Sequence, residues 1–317
     1  MTSVVRPVAR AIVLVALLAL AVPAIAAGIG GSDLRIAVLS TRDSQPYREA
    51  WDGFSDQLSR QGLEADFRNY RLDGNAANTS KTLHQIEEYA PALVYTLGSR
   101  ATRTALDAGL DAPVVACVVM NERTLTDGVN STGVVLEFPV ETQIEWLSQV
   151  LPRHKRIGVL YNPEQNAETV EAAARAARKH GLTLISRAVE EPRDLPAALK
   201  DLGRRVDVLW GITDSVVVTA QTTERLLLFA YRNRIPFVGL SSAWVKAGAI
   251  YSLERDYLDL GAQCGEIAAR VLQGESASAI PPATPRKVRL ALNSRTVNHL
   301  KLDIPESIVQ QADQVFE

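Results

Sequence analysis

With 317 residues, 47% of them hydrophobic and 22% charged, the chain has enough material for two lobes that each bury a core, and its composition lies far from that of disordered proteins. Its 34 Lys and Arg against 36 Asp and Glu leave a formal charge of -2, which excludes a dominant nucleic-acid surface. Basic pairs such as Arg204-Arg205 fall at turns, where solvated charge is the ordinary filling.

Residues 1–26 read as a cleavable secretory signal peptide. Arg6 and Arg10 give a basic start, Ala11 to Val22 is apolar, and Ala24-Ile25-Ala26 has the small-x-small form of a cleavage site. No later apolar run reaches the roughly 18–20 residues of a spanning helix, and no cysteine stands near the cleavage site to carry a lipid anchor. The expected location is therefore the periplasm, free of the membrane. Only Cys117 and Cys264 remain in the exported part; both sit in apolar stretches, and a pairing between them is left open.

From Leu34 onward apolar runs alternate with amphipathic ones. The predicted strands are Leu34 to Leu39, Ala65 to Leu72, Ala92 to Leu97, Val114 to Val119 and Gly133 to Phe138. Between them Trp51, Phe54 and Leu58, then Leu83, Ile86 and Tyr89, fall at helical spacing. After Pro139 the pattern restarts: helix Glu141 to Leu151, strand Arg156 to Tyr161, helix Ala167 to His180, strand Leu182 to Arg187, helix Asp194 to Leu202 and strand Val206 to Trp210. A further helix leads to strand Ile235 to Leu240; then come strand Ala249 to Leu253, helix Asp256 to Gln273, strand Lys287 to Leu292 and helix Ser294 to Leu300. Strands that are apolar at almost every position, such as Val114 to Met120, need cover on both faces, as in a parallel sheet. The fold class is therefore α/β: two doubly wound parallel-sheet lobes joined by a multi-crossover hinge. The expected boundaries are 33–138 plus about 251–277 for the N-terminal lobe, and 139–250 plus about 278–317 for the C-terminal lobe. The Ser-, Ala- and Pro-rich run Gly274 to Pro285 is one crossing.

Several segments resemble the ABC-transporter substrate-binding proteins of the tryptophan/tyrosine-binding type. They are Arg156-Ile157-Gly158-Val159-Leu160-Tyr161-Asn162-Pro163, Thr213-Asp214, Ile235-Pro236-Phe237-Val238-Gly239, Val245-Lys246-Ala247-Gly248-Ala249, Asp256-Tyr257 ahead of Leu260-Gly261, Leu290 to Val297, and Leu302-Asp303-Ile304-Pro305. The resemblance implies a type I periplasmic-binding-protein fold with three crossovers and a ligand enclosed between the lobes. Ser99-Arg100-Ala101-Thr102 stands where many members carry Thr-Pro-Ala-Ala, and Ser215 where asparagine is frequent.

Candidate ligand residues follow from the rule that open α/β sheets bind at the carboxyl ends of their strands. Ser40, Arg42 and Gln45 form the first such loop, and Asn121 follows the fourth strand. Ser99 and Arg100 open a helix, where backbone amides and a guanidinium suit an anion, or where Ser99 merely caps and Arg100 meets solvent. Tyr161, Asn162 and Gln165 occupy the first turn of the second lobe. Thr213 and Asp214 follow Trp210; Asp214 either caps the next helix or takes a ligand ammonium, the role the resemblance suggests. Ser241, Ser242 and Trp244 follow Phe237, and Trp244 is either a ligand wall or a core anchor. Trp210 reads as packing.

Enzyme signatures are missing. His84, His154, His180 and His299 are scattered without metal spacing, and no nucleophile elbow or phosphate loop occurs. Gly28-Ile29-Gly30-Gly31 precedes the first strand and is no nucleotide fingerprint. No cofactor and no metal are expected. The reading is a non-enzymatic periplasmic solute-binding protein of an ABC importer, closing about a small zwitterion or carboxylate. A periplasmic sensor subunit is the alternative, and an enzyme on the same scaffold a more distant one. Expected partners are that small-molecule ligand and an inner-membrane ABC permease, with no nucleic acid and a monomeric chain.

Overall fold

A computed structural model describes residues 34–120, 122–126 and 130–317; the signal-peptide reading and Asn121 lie outside the described residues. The first lobe alternates β1 (Arg35–Ser40), α1 (Gln45–Arg60), β2 (Asp66–Arg71), α2 (Ala76–Tyr89), β3 (Leu93–Leu97), α3 (Ser99–Asp107), β4 (Val114–Val119), α4 (Arg123–Thr126) and β5 (Ser131–Val135). Its sheet is parallel throughout in the order β2-β1-β3-β4-β5, a doubly wound arrangement. Burial follows position. β3 and β4 are buried at every residue, whereas β2, at the edge, is exposed or half-buried throughout.

The second lobe holds α5 (Val140–Val150), β6 (Arg156–Tyr161), α6 (Pro163–Lys179), β7 (Thr183–Ala188), α7 (Leu195–Leu202), β8 (Val208–Trp210), α8 (Ala220–Asn233), β9 (Phe237–Val238), α9 (Ser242–Lys246) and β10 (Tyr251–Arg255). The chain then returns to the first lobe for α10 (Tyr257–Leu272) and comes back for β11 (Val288–Asn293), α11 (Ser294–Leu300), α12 (Glu306–Gln310) and β12 (Ala312–Phe316). The second sheet runs β12-β11-β10-β9-β8-β6-β7 and is parallel apart from the β10–β11 pair.

Two boundaries shift from the sequence reading. Tyr251–Arg255, placed with the N-terminal lobe in the sequence, pairs with β9 and β11, and its Tyr251 and Leu253 enter the second core. The stretch up to Ala283, given from 278 to the C-terminal lobe, lies along β5: Ala283 N donates to Gly133 O at 2.8 Å, Val135 N to Ala283 O at 2.9 Å, and Thr132 Oγ1 to Ile280 O at 2.8 Å. The chain thus passes between sheets at residues 136–139, at Arg255-Asp256 and at 284–287.

Side chains stitch these crossings together. Arg255 Nε donates to Leu136 O at 2.7 Å, joining the first crossing to the second. Arg286 reaches Asp259 on α10 through Nε at 3.0 and 3.1 Å and Nη2 at 3.1 Å, and Lys287 Nζ lies 3.2 Å from the same carboxylate. Burial alone raises the Asp259 carboxyl, but the hydrogen bonds from Arg286 and Lys287 outweigh it and hold the group below the usual aspartate value. A depressed carboxylate contributes stability above its unfolded pKa of about 3.9 and loses it as pH falls through the folded value. Asp259→Asn should therefore cost about 1–2 kcal/mol at pH 7, discounted for the solvent around Arg286, and progressively less as the pH falls below the unfolded value and through the lower folded one. Urea midpoints across that range are the check; equal midpoints at pH 7 would contradict it.

Candidate functional site

A cavity of about 1070 Å³ opens between the lobes, beside the crossings. Most of its wall comes from the second lobe. The end of β8 gives Trp210 to Thr213, the end of β9 gives Val238 to Leu240, and the first turns of α6 give Pro163 to Thr169. β10 presents Tyr251, Leu253 and Arg255, the alternate residues of one strand face. From the first lobe come Met120, Glu122 and Arg123, at the exit of β4. That exit is bent. The β4–β5 register shifts between Ala116 and Val119, and Val118 adopts a left-handed φ of 59°, costly for a β-branched residue and typical of a bulge that re-aims a strand end.

Of the residues singled out in the sequence, Gln165 and Thr213 line this cavity. Gln165 Oε1 accepts from Ser215 N at 3.0 Å and Ser215 Oγ at 2.9 Å, fixing the turn after β8 against α6. Asp214 is 3% exposed, and its carboxylate is occupied by four protein donors: Asn162 N at 2.6 Å, Asn166 Nδ2 at 2.9 Å, Val216 N at 2.9 Å and Val217 N at 2.8 Å. Asn162 caps α6 through Glu164 N at 3.1 Å and reaches Val189 O and Glu190 O with its amide. Tyr161 packs on the second core. Trp244 stacks on Phe237 with ring centroids 5.5 Å apart, as a core anchor, while Ser241 and Ser242 open α9 beside it.

The first-lobe candidates Ser40, Arg42, Gln45, Ser99 and Arg100 do not line the cavity. Ser99 Oγ accepts from Met120 N at 3.0 Å and so positions a cavity residue. Arg100 leans over the 73–75 loop: a Cβ at Gly74 would lie 3.1 Å from its Nη2. Ser40 O accepts from Leu72 N at 2.8 Å, Arg42 lies over the Tyr47 ring, and Gln45 donates to Glu49 at 2.7 Å.

Groups the sequence reading passed over dominate the polar chemistry of the cavity. Arg255 is half-buried, its guanidinium 5.0 Å from the Phe138 ring centroid, and desolvation lowers its pKa. Glu137 opens onto the cleft, yet the protein around it displaces enough water to push its carboxyl up against the pull of Arg255. Desolvation also raises Tyr257 and Tyr251. The Tyr251 hydroxyl is buried without a hydrogen-bond partner. Trp210, read as packing, is 3% exposed and also lines the cavity. At the mouth, Arg123 Nη2 and Glu168 Oε2 approach to 3.7 Å across the two lobes, an exposed pair worth little by itself. None of the four histidines lines the cavity, and no group of three His, Cys, Asp or Glu able to hold a metal occurs among the described residues. Both cysteines are free and buried in the first lobe, and Cys264 Sγ donates to Ala116 O at 3.5 Å.

Two α/β lobes, three chain crossings and a cavity beside them define a two-lobed small-molecule-binding protein. The chain belongs to the ABC transporter substrate-binding protein family, whose model matches residues 35–316, as the motif resemblance implied. A tyrosine-binding protein of Clostridioides difficile is 26% identical over 268 residues, covering 80% of this chain and 77% of the relative. Among solved structures, a ligand-free, open substrate-binding protein with adhesive properties from Clostridium difficile superposes with TM-score 0.72 at 21% identity, covering 90% of this chain and 99% of that one. An ABC domain in complex with L-Trp from Streptococcus pneumonia gives TM-score 0.58 at 24% identity, covering 89% and 99%. Their fold is this fold. No helix among the described residues is long and apolar enough to cross a membrane.

Proposed function

We propose that the chain is the periplasmic receptor of an ABC importer, which encloses a small amino-acid-like or carboxylate ligand by hinge closure and presents the closed form to an inner-membrane permease. The observation that carries this reading is the cavity of about 1070 Å³ placed beside three crossings. Its size lies at the upper end of the roughly 300–1,000 Å³ of small-molecule pockets, as suits lobes standing apart. A ligand that touches both lobes binds the closed state better and shifts the population toward it, and moving from 1:99 to 99:1 takes about a 10⁴-fold preference. Closure would bring the loops of Ser40, Arg42, Gln45 and Ser99 toward the wall formed by Gln165 and Thr213. Tyrosine and tryptophan in the relatives' names make aromatic amino acids the first ligands to try.

The test is small-angle X-ray scattering of the mature protein, titrated with the twenty amino acids and with whatever solute copurifies. A saturable decrease in radius of gyration is expected with at least one of them. A ligand that binds by calorimetry and leaves the radius unchanged would rule out closure.

A further inference from the structure

The cavity contains an arrangement that the receptor reading alone does not require. Glu137 and Arg255 carry opposite charge on adjoining crossings, and both line the cavity. No carboxylate lies within 4.0 Å of the Arg255 guanidinium among the described residues, and Glu137 has no hydrogen-bonding or ion-pairing partner there. Nε of Arg255 is engaged by Leu136 O, and Phe138 lies under the guanidinium, so the fork is held in one orientation with its outer nitrogens uncommitted. Tyr251, on the same strand face, adds a hydroxyl that is buried and unpartnered, although buried polar groups are ordinarily paired. Its neighbours along the wall, Trp210, Ile212 and Leu253, are apolar.

We infer that Glu137, Arg255 and Tyr251 form a zwitterion subsite, in which Arg255 takes the carboxylate of an α-amino acid, Glu137 its ammonium and the Tyr251 hydroxyl a further polar atom of the ligand. The inference rests on the receptor reading of the same cavity. An acid and a base kept separate in a partly desolvated cleft cost the empty protein stability, and a ligand carrying the complementary pair of charges relieves both at once. The apolar neighbours leave the remainder of the ligand an aromatic or aliphatic side chain. Because the two charges sit on crossings that move with the hinge, filling them also couples head-group recognition to closure.

The experiment is calorimetry on the full mature chain with L-tyrosine, tyramine and 3-(4-hydroxyphenyl)propionate, and with L-leucine as the aliphatic probe; the remaining amino acids are then screened by thermal shift. At least one amino acid is expected to bind, with its amine-only and acid-only analogues at least tenfold weaker. Glu137→Gln should weaken the amino acid tenfold or more while leaving the acid-only analogue within about twofold of wild type, since that analogue has no ammonium to lose. Tyr251→Phe should weaken the amino acid by about tenfold and leave the melting temperature of the empty protein unchanged or higher. Arg255→Lys keeps the charge and serves where Arg255→Gln does not fold; it should bind at least tenfold more weakly, because the fork is lost. Wild-type affinity in Glu137→Gln or Tyr251→Phe, or an equal loss for the amino acid and its acid-only analogue, overturns the subsite. Binding and compaction with a copurified solute that is no amino acid would overturn the subsite and leave the receptor reading standing, whereas amino-acid binding without compaction would do the reverse.

Discussion

Gly261→Val should be among the most damaging single substitutions in the first lobe, lowering stability by about 3–5 kcal/mol and the melting temperature by on the order of 10 °C. A Cβ at Gly261 would lie 2.0 Å from Ala50 O and 2.9 Å from Phe54 N, both backbone atoms of α1. The reverse contact is as close, since a Cβ at Gly53 would lie 1.9 Å from Leu258 O. Ordinary carbon contacts are about 3.5–4.0 Å, so the two helices would have to part by more than an ångström. That separation would open the layer where Phe54, Leu58, Leu260, Cys264 and Ile267 meet the sheet. No rotamer change relieves a clash with backbone, so the cost falls on the whole helix pair. Gly274→Ala is the comparison: its φ of 101° is strained for alanine but nothing lies within 4 Å, and a cost of about 1–2 kcal/mol is expected. Circular-dichroism melts of both variants are the measurement. A Gly261→Val protein melting within a degree or two of wild type would refute the close-contact account.

The apolar runs of β3 and β4 and the helix at Ser294–Leu300 were legible because burial on both faces, or a cap such as Asn293 accepting from Thr296 N, leaves a local signature. The start of α6 was not. Asn162-Pro163-Glu164-Gln165-Asn166 reads as a polar turn, but Asn162 is the cap and Pro163 the first helical residue, so the turn is the opening of the helix. β12 has exposed residues at its centre and lies on a sheet edge, which removes the alternation a reader looks for. The β10 boundary was lost because a five-residue strand followed directly by a helix gives no signal about which lobe supplies its hydrogen bonds; only the pairing with β9 and β11 decides it.

At the site, the rule about strand ends located the turns after β6, β8 and β9 and two lining residues, Gln165 and Thr213, but not the charged side chains Glu137 and Arg255. In the sequence Glu137 falls inside the predicted strand Gly133 to Phe138 and Arg255 between the strand ending at Leu253 and the helix starting at Asp256, and neither position suggests a ligand contact. A signal was available: a carboxylate between Leu136 and Phe138, and an arginine in step with Tyr251 and Leu253 on the apolar face of a strand, are both expensive placements without a reason. Ser99 shows the opposite limit. Its hydroxyl supports Met120 N, a contact that depends on the bulge at Val118 and on no feature of local sequence.

Asp214→Ala is the second substitution with a large expected effect, and it separates two roles that sequence leaves superposed. In this structure the carboxylate holds three backbone amides, Asn162 N, Val216 N and Val217 N, together with the Asn166 amide, which also reaches Thr213 O at 3.0 Å. Removing it strands the three amides in a site where the carboxylate was 3% exposed. Each stranded donor costs about 1–3 kcal/mol, and because the losses share one turn they do not add fully; about 3–5 kcal/mol in all is expected. Asp214→Asn keeps one accepting oxygen and turns an amide NH₂ toward the remaining donors, so it should fall between, at about 1–3 kcal/mol. If Asp214 acts by holding the turn, ligand affinity of the Asn variant, measured well below its melting temperature, stays within about threefold of wild type while urea midpoints fall. A carboxylate that gripped a ligand ammonium would give the reverse pattern, with affinity down tenfold or more and the midpoint unmoved. The geometry favours the first outcome, because an oxygen already accepting two short hydrogen bonds has little left to offer a ligand, and because Asp214 ties the turn after β8 to the start of α6, the two elements that form the wall of the cleft.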